Sequence, residues 1–496
     1  MAAPLILTID QGTTSSRALV VDAAGAIRGV GQHSFPQLFP QPGWVEHDPE
    51  AIWRSTLDAV RDALKAAATG PSGITAIGIT NQRETVVIWD RVTGAPLHNA
   101  IVWQDRRTAP ICDELRDRGF EPRLAQDAGL TLDPYFSGTK LTWLARNVAA
   151  VGEAARAGRL AVGTIDSWLI WKLTGGRRHV TDMTNASRTL LLDIDRCAWS
   201  DELCDAFEVT RGALPEVLPS RATFGRTAGA VFNAETPILA VAGDQQSALF
   251  GQACVAPGQA KNTYGTGCFL LAEAGRESVR SRNRLLTSLG VASEPGRPAY
   301  VREGSVFVAG SLVQWLRDEL GIIRTSAEIE PLAASVPDSG GVTIVPAFTG
   351  LGAPHWDPHA RGAILGLTRG ATKAHIARAA LEAIALSSAE LVGAMNADLP
   401  APIAELRVDG GAAANNLLMQ LQADLAGVPV LRPVVTESTA MGAAFLAGIE
   451  AGIWAGPDEA ASLWTLDRRF EPAISSDERE ARLGAWRSSV ARVRSS

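Results

Sequence analysis

The chain has 496 residues, long enough for two or more domains with sizeable cores. Its 46% hydrophobic and 20% charged content is ordinary for a globular protein, and a net charge of −7 excludes the electrostatic footprint expected for nucleic acid or an anionic membrane surface. The N-terminal stretch lacks a basic segment and reaches an aspartate too early for a signal peptide, and the best apolar stretch, 440–455, is broken by Glu450, so no membrane insertion is expected.

Two apolar runs, Leu5 to Ile9 and Ala18 to Val21, read as paired strands around a polar turn. The amides and hydroxyls of Gly12, Thr13, Thr14 and Ser15 can point at phosphate oxygens, and Arg17 adds a planar cation. Asp10, at a strand end, could hold a hydrated Mg²⁺. A polar hairpin turn without a ligand is the plainer reading.

Asp48-Pro49-Glu50 starts a helix, and Trp53, Leu57, Val60 and Leu64 give it one apolar face. Ile74 to Thr80 and Thr85 to Trp89 read as strands flanking Asn81-Gln82-Arg83-Glu84. Arg83 and Glu84 form either a solvated hairpin tip or a pair holding the donor and acceptor of one hydroxyl. Trp103 could be core or an apolar wall for a small ligand. Tyr135 lies in a loop before a helix predicted from Thr139 to about Val151. Residues 193–226 look irregular.

A buried strand, Pro237 to Ala242, ends in Gly243-Asp244-Gln245-Gln246, where a helix begins. Asp244 suits either an N-cap or a catalytic carboxylate. A second hairpin, Lys261 to Leu271, turns through Tyr264-Gly265-Thr266-Gly267 and echoes the first, which suggests two related halves meeting near Ala256-Pro257-Gly258. Gly310-Ser311 starts a helix with Leu312, Trp315, Leu316 and Leu320 on its apolar side and Gln314 off it. His355, Asp357 and His359 suggest a metal, but Pro358 breaks the helical spacing a zinc motif uses, and a packed loop is expected. A strand over 405–408 runs into Asp409-Gly410-Gly411, and Asn415 precedes a helix. That turn could be a tight Asn-capped turn or a bed for a flat base. The helix 438–449 is small-faced, and the tail past Pro472 reads as a polar helix or loose end. Five cysteines form no C-x-x-C pair, so neither a disulfide frame nor a zinc site is indicated, and a reducing cytoplasm is expected. P-loop, dinucleotide, nucleophile-elbow and zincin motifs are absent, so any nucleotide phosphates must be held by the hairpins.

Taken together, DQGTTSSRA, NQRE, VWQDRRT, GDQQSALFGQ, NTYGTGCF, PAFTGLGAPHWDP and VDGGAAANN resemble the glycerol kinases of the FGGY carbohydrate kinase family, in family order over residues 5–454. The resemblance implies an α/β chain of two actin/Hsp70-like (ribonuclease H-like) domains, each around a five-stranded mixed sheet, with a nucleotide cleft between them. It divides the chain into an N-terminal domain, 1–252, with the polyol site and a phosphate hairpin, and a nucleotide-binding C-terminal domain, 253–496. It implies ATP-dependent phosphorylation of glycerol to sn-glycerol 3-phosphate, with Mg²⁺ organised by Asp10 through water and Asp244 as general base. Arg83, Glu84, Tyr135, Asp244 and Gln245 would meet glycerol, and Trp103 and Phe269 would pack on its carbons. Thr13, Thr14, Ser15 and Arg17 would meet phosphates, and Thr266, Gly310, Gln314, Gly411 and Asn415 would hold the nucleotide. Family members are often dimers or tetramers, so a homo-oligomer is expected. Some are inhibited by fructose 1,6-bisphosphate on a glycine-rich loop that presents an arginine. Glu235 stands at that position here, with Arg226 the nearest arginine and distant in sequence, so that site is expected to be absent. A related kinase acting on a larger polyol or a pentulose, and an ATP-driven chaperone or filament protein on the same fold, are the alternatives.

Overall fold

The computed structural model describes residues 3–495; Met1 and Ala2, the start of the stretch read for a signal peptide, lie outside the described residues. The first half is built on strands β1 (Leu5–Gln11), β2 (Ser15–Asp22), β3 (Ile27–Ser34), β4 (Ile74–Asn81), β5 (Arg221–Arg226) and β6 (Pro237–Gly243). They form one sheet in the order β5-β6-β4-β1-β2-β3. β1 pairs antiparallel with β2 and parallel with β4, and β6 continues the parallel side. Both faces of β1 are covered, which is why Leu5 to Ile9 read as an apolar run interrupted only by Thr8. Leu7 and Ile9 face helix α1 (Pro49–Ala66), while Ile6 faces the opposite layer.

The second half repeats this plan. Strands β7 (Gln259–Tyr264), β8 (Cys268–Gly275), β9 (Leu286–Leu289), β10 (Tyr300–Val306), β11 (Glu405–Asp409), β12 (Val430–Pro433) and β13 (Leu466–Phe470) lie in the order β9-β10-β8-β7-β11-β12-β13. Hairpin β7–β8 and the parallel neighbours β11 and β12 match hairpin β1–β2 with β4 and β6. The echo between the two glycine-threonine turns is therefore a repeat of topology. The sheets hold six and seven strands rather than the expected five, because antiparallel strands extend the edges of the common five. One of these, β5, lies in the stretch expected to be irregular.

Helix α2 (Asp244–Gly251) follows β6, and helix α6 (Ser438–Glu450) comes from far along the chain to pack on the first sheet. Between them in sequence stand α3 (Gly310–Asp318), α4 (Lys373–Asn396) and α5 (Asn416–Ala426), and α7 (Ser476–Ala491) closes the chain. α2 and α6 cross in backbone contact. A Cβ on Gly442 would lie 1.9 Å from the Ser247 carbonyl oxygen, and one on Gly251 would lie 2.0 Å from that of Ser438. This crossing is the physical reason for the small residues read in 438–449.

Two further expectations change, and the tail, read as a polar helix or loose end, resolves to the helix. The helix expected over 139–151 is two helices, Ser137–Asn147 and Ala149–Arg156, because Val148 is extended between them. Leu320 is exposed, and Val313 takes its place on the buried side of α3. The tail is an ordered helix: Leu483, Trp486 and Val490, at helical spacing, are buried in the second core. The insert between β4 and β5 builds its own core, completed by Leu286, Leu289 and Tyr300 of the second half.

The α2–α6 crossing predicts that Gly442→Ala, which sets a methyl against backbone that cannot rotate away, destabilises by roughly 1–3 kcal/mol. A urea titration followed by tryptophan fluorescence checks this, and an unchanged midpoint would refute the crossing.

Candidate active site

The carboxyl ends of β1, β4 and β6 lie side by side. Gln11 is in register with Asn81, and Asn81 with Gly243. Asp10, Arg83 and Asp244 therefore come from three neighbouring strand ends, the usual place for binding groups in α/β sheets. In the first turn the Gly12 amide donates to the Ser15 carbonyl at 2.9 Å, and Thr14 is exposed. Arg17, expected to meet phosphates, forms an ion pair with Glu437 just ahead of α6.

The matching turn of the second half is tied to α3. The Ala309 amide donates to the Thr266 carbonyl at 2.8 Å, and the Gly310 amide to that of Gly265 at 3.0 Å. Thr266 and Gln314 are exposed beside this junction. Thr263 is in register with Asp409, so the loop carrying Gly411 and Asn415 leaves the sheet at the same edge. Gly411 is exposed, and Asn415 caps α5, its Oδ1 accepting from the Leu418 amide at 2.9 Å.

Arg83 and Glu84 are not a solvated tip. They are 2% and 1% exposed. The Arg83 fork donates to both carboxylate oxygens of Glu303 at 2.7 and 2.8 Å, and its Nη1 also to Gln246 Oε1 at 3.0 Å. Its Nε lies 3.2 Å from Asp244 Oδ1. Gly243 makes room for this, since a Cβ there would be 2.7 Å from Arg83 Cδ. Arg188 donates to Glu84 Oε1 at 2.6 Å and to Glu303 Oε1 at 3.2 Å. Burial alone would raise the Glu303 carboxyl, but Arg188 and Arg83 hold it at about 2. Burial dominates at Glu84 and raises it against the same two arginines.

An aromatic wall stands beside these charges. Trp103 meets Tyr135 edge-on at 5.6 Å between ring centroids and Phe269, from β8, at 6.2 Å. The Trp103 indole donates to Thr13 Oγ1 at 3.0 Å, which joins the wall to the first turn. Asp133 fixes Tyr135 by accepting its amide at 2.8 Å, and accepts Arg106 at 2.7 Å.

Asp244 stands at the first position of α2, and Gly243 is the cap residue. Its side chain is 29% exposed, so a ligand can reach it. Burial raises its pKa, against the pull of Arg83 and Lys261. Burial and the neighbouring Asp244 charge lift Asp10 to about 7, with Arg17 opposing. Lys261 is wholly buried, donates to Gln245 and to Thr263 Oγ1, and is brought down to about 8 by that burial. No cluster of three or more His, Cys, Asp or Glu side chains suited to a metal occurs among the described residues. An Asp10 carboxyl crowded by a second carboxylate nevertheless fits a hydrated Mg²⁺ that takes its remaining ligands from water and phosphate.

Arg188, Glu303, Lys261 and Gln246 were missed by the sequence reading. The sequence carries little signal for them: Lys261 stands between Ala260 and Asn262, and Glu303 between Arg302 and Gly304, so neither is a lone charge in an apolar strand. Elsewhere, the 355–359 loop is packed as expected. Asp357 accepts from the His359 and Ala360 amides and from Ser495, and His355 pairs with Glu390 at 3.1 Å. Arg226, distant from Glu235 in sequence, is adjacent in space: its guanidinium donates to the Glu235 carbonyl at 2.8 Å across the β5–β6 turn. The five cysteines are buried and unpaired, and no helix among the described residues is long and apolar enough to cross a membrane.

The burial contrast predicts unequal costs for two arginines. Arg83→Ala strands Glu303 in the interior and should cost roughly 3–5 kcal/mol. Arg146→Ala, whose pairs with Glu114 and Glu208 are on the surface, should cost about 0–1 kcal/mol. Thermal melts of both variants check this, and equal shifts would contradict it.

The model for the N-terminal domain of the FGGY family of carbohydrate kinases matches residues 5–251, and that for the C-terminal domain matches 260–451. A glycerol kinase of Aromatoleum aromaticum is 56% identical over 489 residues, covering 99% of this chain and 98% of that protein. One of Deinococcus radiodurans is 56% identical over 489 residues, covering 99% and 97%. Among solved structures, a Plasmodium falciparum glycerol kinase with ADP superposes with a TM-score of 0.91 at 35% identity, over 99% of this chain and 98% of that one. A Lactobacillus acidophilus xylulose kinase, 22% identical over 99% and 97%, superposes at 0.87 and speaks to the fold alone. With both halves matched and its relatives spanned end to end, this chain belongs to the FGGY family of carbohydrate kinases.

Proposed function

We propose that this protein transfers the γ-phosphoryl group of ATP to a terminal hydroxyl of glycerol, giving sn-glycerol 3-phosphate and ADP. The observation that carries this reading is the meeting of Arg83, Glu84 and Asp244 with the Trp103–Tyr135–Phe269 wall at the junction of the two halves. A short triol needs an apolar wall for its carbons and paired donors and acceptors for its hydroxyls. Glu84 gives one oxygen to Arg188, and its other has no protein donor among the described residues, so it is available to a hydroxyl. Near-full-length relatives at 56% identity that are glycerol kinases support glycerol over a larger acceptor.

In the reaction a glycerol oxygen attacks the γ-phosphorus, its bond to phosphorus forms, and the bridging bond to ADP breaks. Asp244 accepts the hydroxyl proton, while Arg83 beside it fixes the carboxylate. Gln245, anchored by Lys261, lies next to that base. Thr13, Thr14, Ser15 and Arg17 serve the phosphates from residues 1–252. Thr266, Gly310, Gln314, Gly411 and Asn415 serve the nucleotide from residues 253–496. Mg²⁺, near Asp10 through water, supplies charge neutralisation to the phosphates when bound. Arg17 must leave Glu437 to reach a phosphate, so nucleotide binding would open that pair. The buried, unpaired cysteines fit a reducing compartment, and we place the reaction in the cytoplasm.

The direct test is ADP release from ATP and Mg²⁺ with glycerol, erythritol, xylulose or no acceptor. Glycerol should give the highest kcat/KM, and turnover without acceptor should be minor. A preference for xylulose, or acceptor-independent hydrolysis, would overturn the reading.

Asp244→Asn should keep ATP affinity and lower kcat by ~10²–10⁴-fold, the usual cost of losing a general base. Because burial raises the Asp244 pKa and only its ionised form accepts a proton, wild-type kcat should fall with acid through a pKa above the ordinary aspartate value of about 3.9. A variant within a few-fold of wild type would remove Asp244 from that role.

A further inference from the structure

Glu303 and Arg188 belong to none of the segments that carry the family resemblance, yet both side chains are completely buried beside Arg83 and Glu84. Glu303 lies on β10, in the sheet of the second half, while Arg83, Glu84 and Arg188 belong to the first. Glu303 takes two N–H groups of the Arg83 fork, and Gln246 takes a third. Nε lies 3.2 Å from Asp244 Oδ1, and two of the five Arg83 N–H groups, one on Nε and one on Nη2, stay outside these three bonds. Arg188 does the same for Glu84: it holds Oε1 at 2.6 Å and is itself fixed by Ser288 Oγ at 2.9 Å and by Glu303. Its guanidinium lies over the Tyr135 ring, 5.5 Å from the centroid. Each of the two groups facing the acceptor is thus held by a fully buried partner, Arg83 by Glu303 and Glu84 by Arg188.

We propose that Glu303 and Arg188 are positioning residues for the acceptor subsite, acting through Arg83 and Glu84, and that Glu303 makes acceptor recognition depend on the second half of the chain. A bidentate arginine–carboxylate pair fixes the plane of the fork as well as its place. Without Glu303 the Arg83 side chain keeps its charge but gains rotamers, and its free N–H groups are no longer aimed at fixed hydroxyl positions. β10 runs directly toward α3, on which Gly310 and Gln314 stand, so the strand that orients the acceptor arginine also leads to the nucleotide side.

The inference rests on the glycerol reading above, and the experiment separates the two. Steady-state kinetics of wild type, Glu303→Gln and Arg188→Lys are measured with glycerol and ATP varied in turn, alongside thermal melts. Glu303→Gln should raise the KM for glycerol on the order of 10–100-fold, as for loss of one or two charge-assisted hydrogen bonds, with the KM for ATP within two-fold. Arg188→Lys keeps the charge and loses the fork, and should raise the glycerol KM several-fold with little change in melting temperature. If Glu303→Gln does not fold, Arg188→Lys alone decides. Wild-type glycerol KM values in the variants, or parallel rises in both KM values, would overturn the positioning role while leaving the glycerol reading intact. A wild-type protein that fails to phosphorylate glycerol would overturn that reading and this inference with it.

Discussion

A buried charge must find a partner, and the floor of this cleft is where that constraint is strictest. Arg83, Arg188 and Lys261 face Glu84, Glu303, Asp244 and Asp409, and all but Asp244 are fully or almost fully removed from water. Some pair within a half, as Arg188 does with Glu84, but the network closes only across the junction. Arg83 has its best partner, Glu303, on the sheet of the other half, and Lys261 of the second half anchors Gln245 of the first. The halves must therefore meet at one geometry, and the α2–α6 crossing, with backbone against backbone, lets them come close enough to do so. Breaking one partner leaves an uncompensated charge, so the site and the junction stand or fall together.

This coupling gives the site its chemical character. Arg83, already committed to Glu303 and Gln246, offers directed N–H groups rather than a diffuse positive field, which suits a neutral polyol better than an acid. Asp244 is the exception among the carboxylates, part-exposed and neighbouring Arg83 without being locked in a bidentate pair. It is held in place yet able to take a proton. Asp10, lifted toward neutrality by burial and by Asp244, marks the side of the site where positive charge is in short supply.

Much of the fold was legible in the sequence, because its signals are local. The apolar run of β1, the Asp48 cap with Pro49 of α1 and the small face of α6 each predict an element from neighbouring residues alone. The two glycine-threonine turns announced a repeat that the strand orders reproduce. What stayed hidden was pairing over distance. Glu303 and Arg83 are 220 residues apart, and no local pattern says that a glutamate in one strand completes an arginine at the end of another. Arg226 and Glu235 taught the same lesson at short range, since the β5–β6 connection, which includes a short helix over Gly229–Phe232, folds back and brings together groups that counting along the chain separates. Val148 and the buried face of α7 were missed because one extended residue, or three apolar ones in a charged helix, is a weak signal against propensity.

The proposed acceptor position is the junction, between the aromatic wall and the Arg83–Glu84–Asp244 charges. A crystal structure with glycerol and a non-hydrolysable ATP analogue tests it most directly. Glycerol carbons are expected against Trp103 and Phe269, one hydroxyl within hydrogen-bond distance of Asp244, and the others on Arg83 and Glu84, with the Arg83–Glu303 pair intact. Glycerol bound elsewhere, or an Arg83 fork that leaves Glu303 to reach it, would contradict that position.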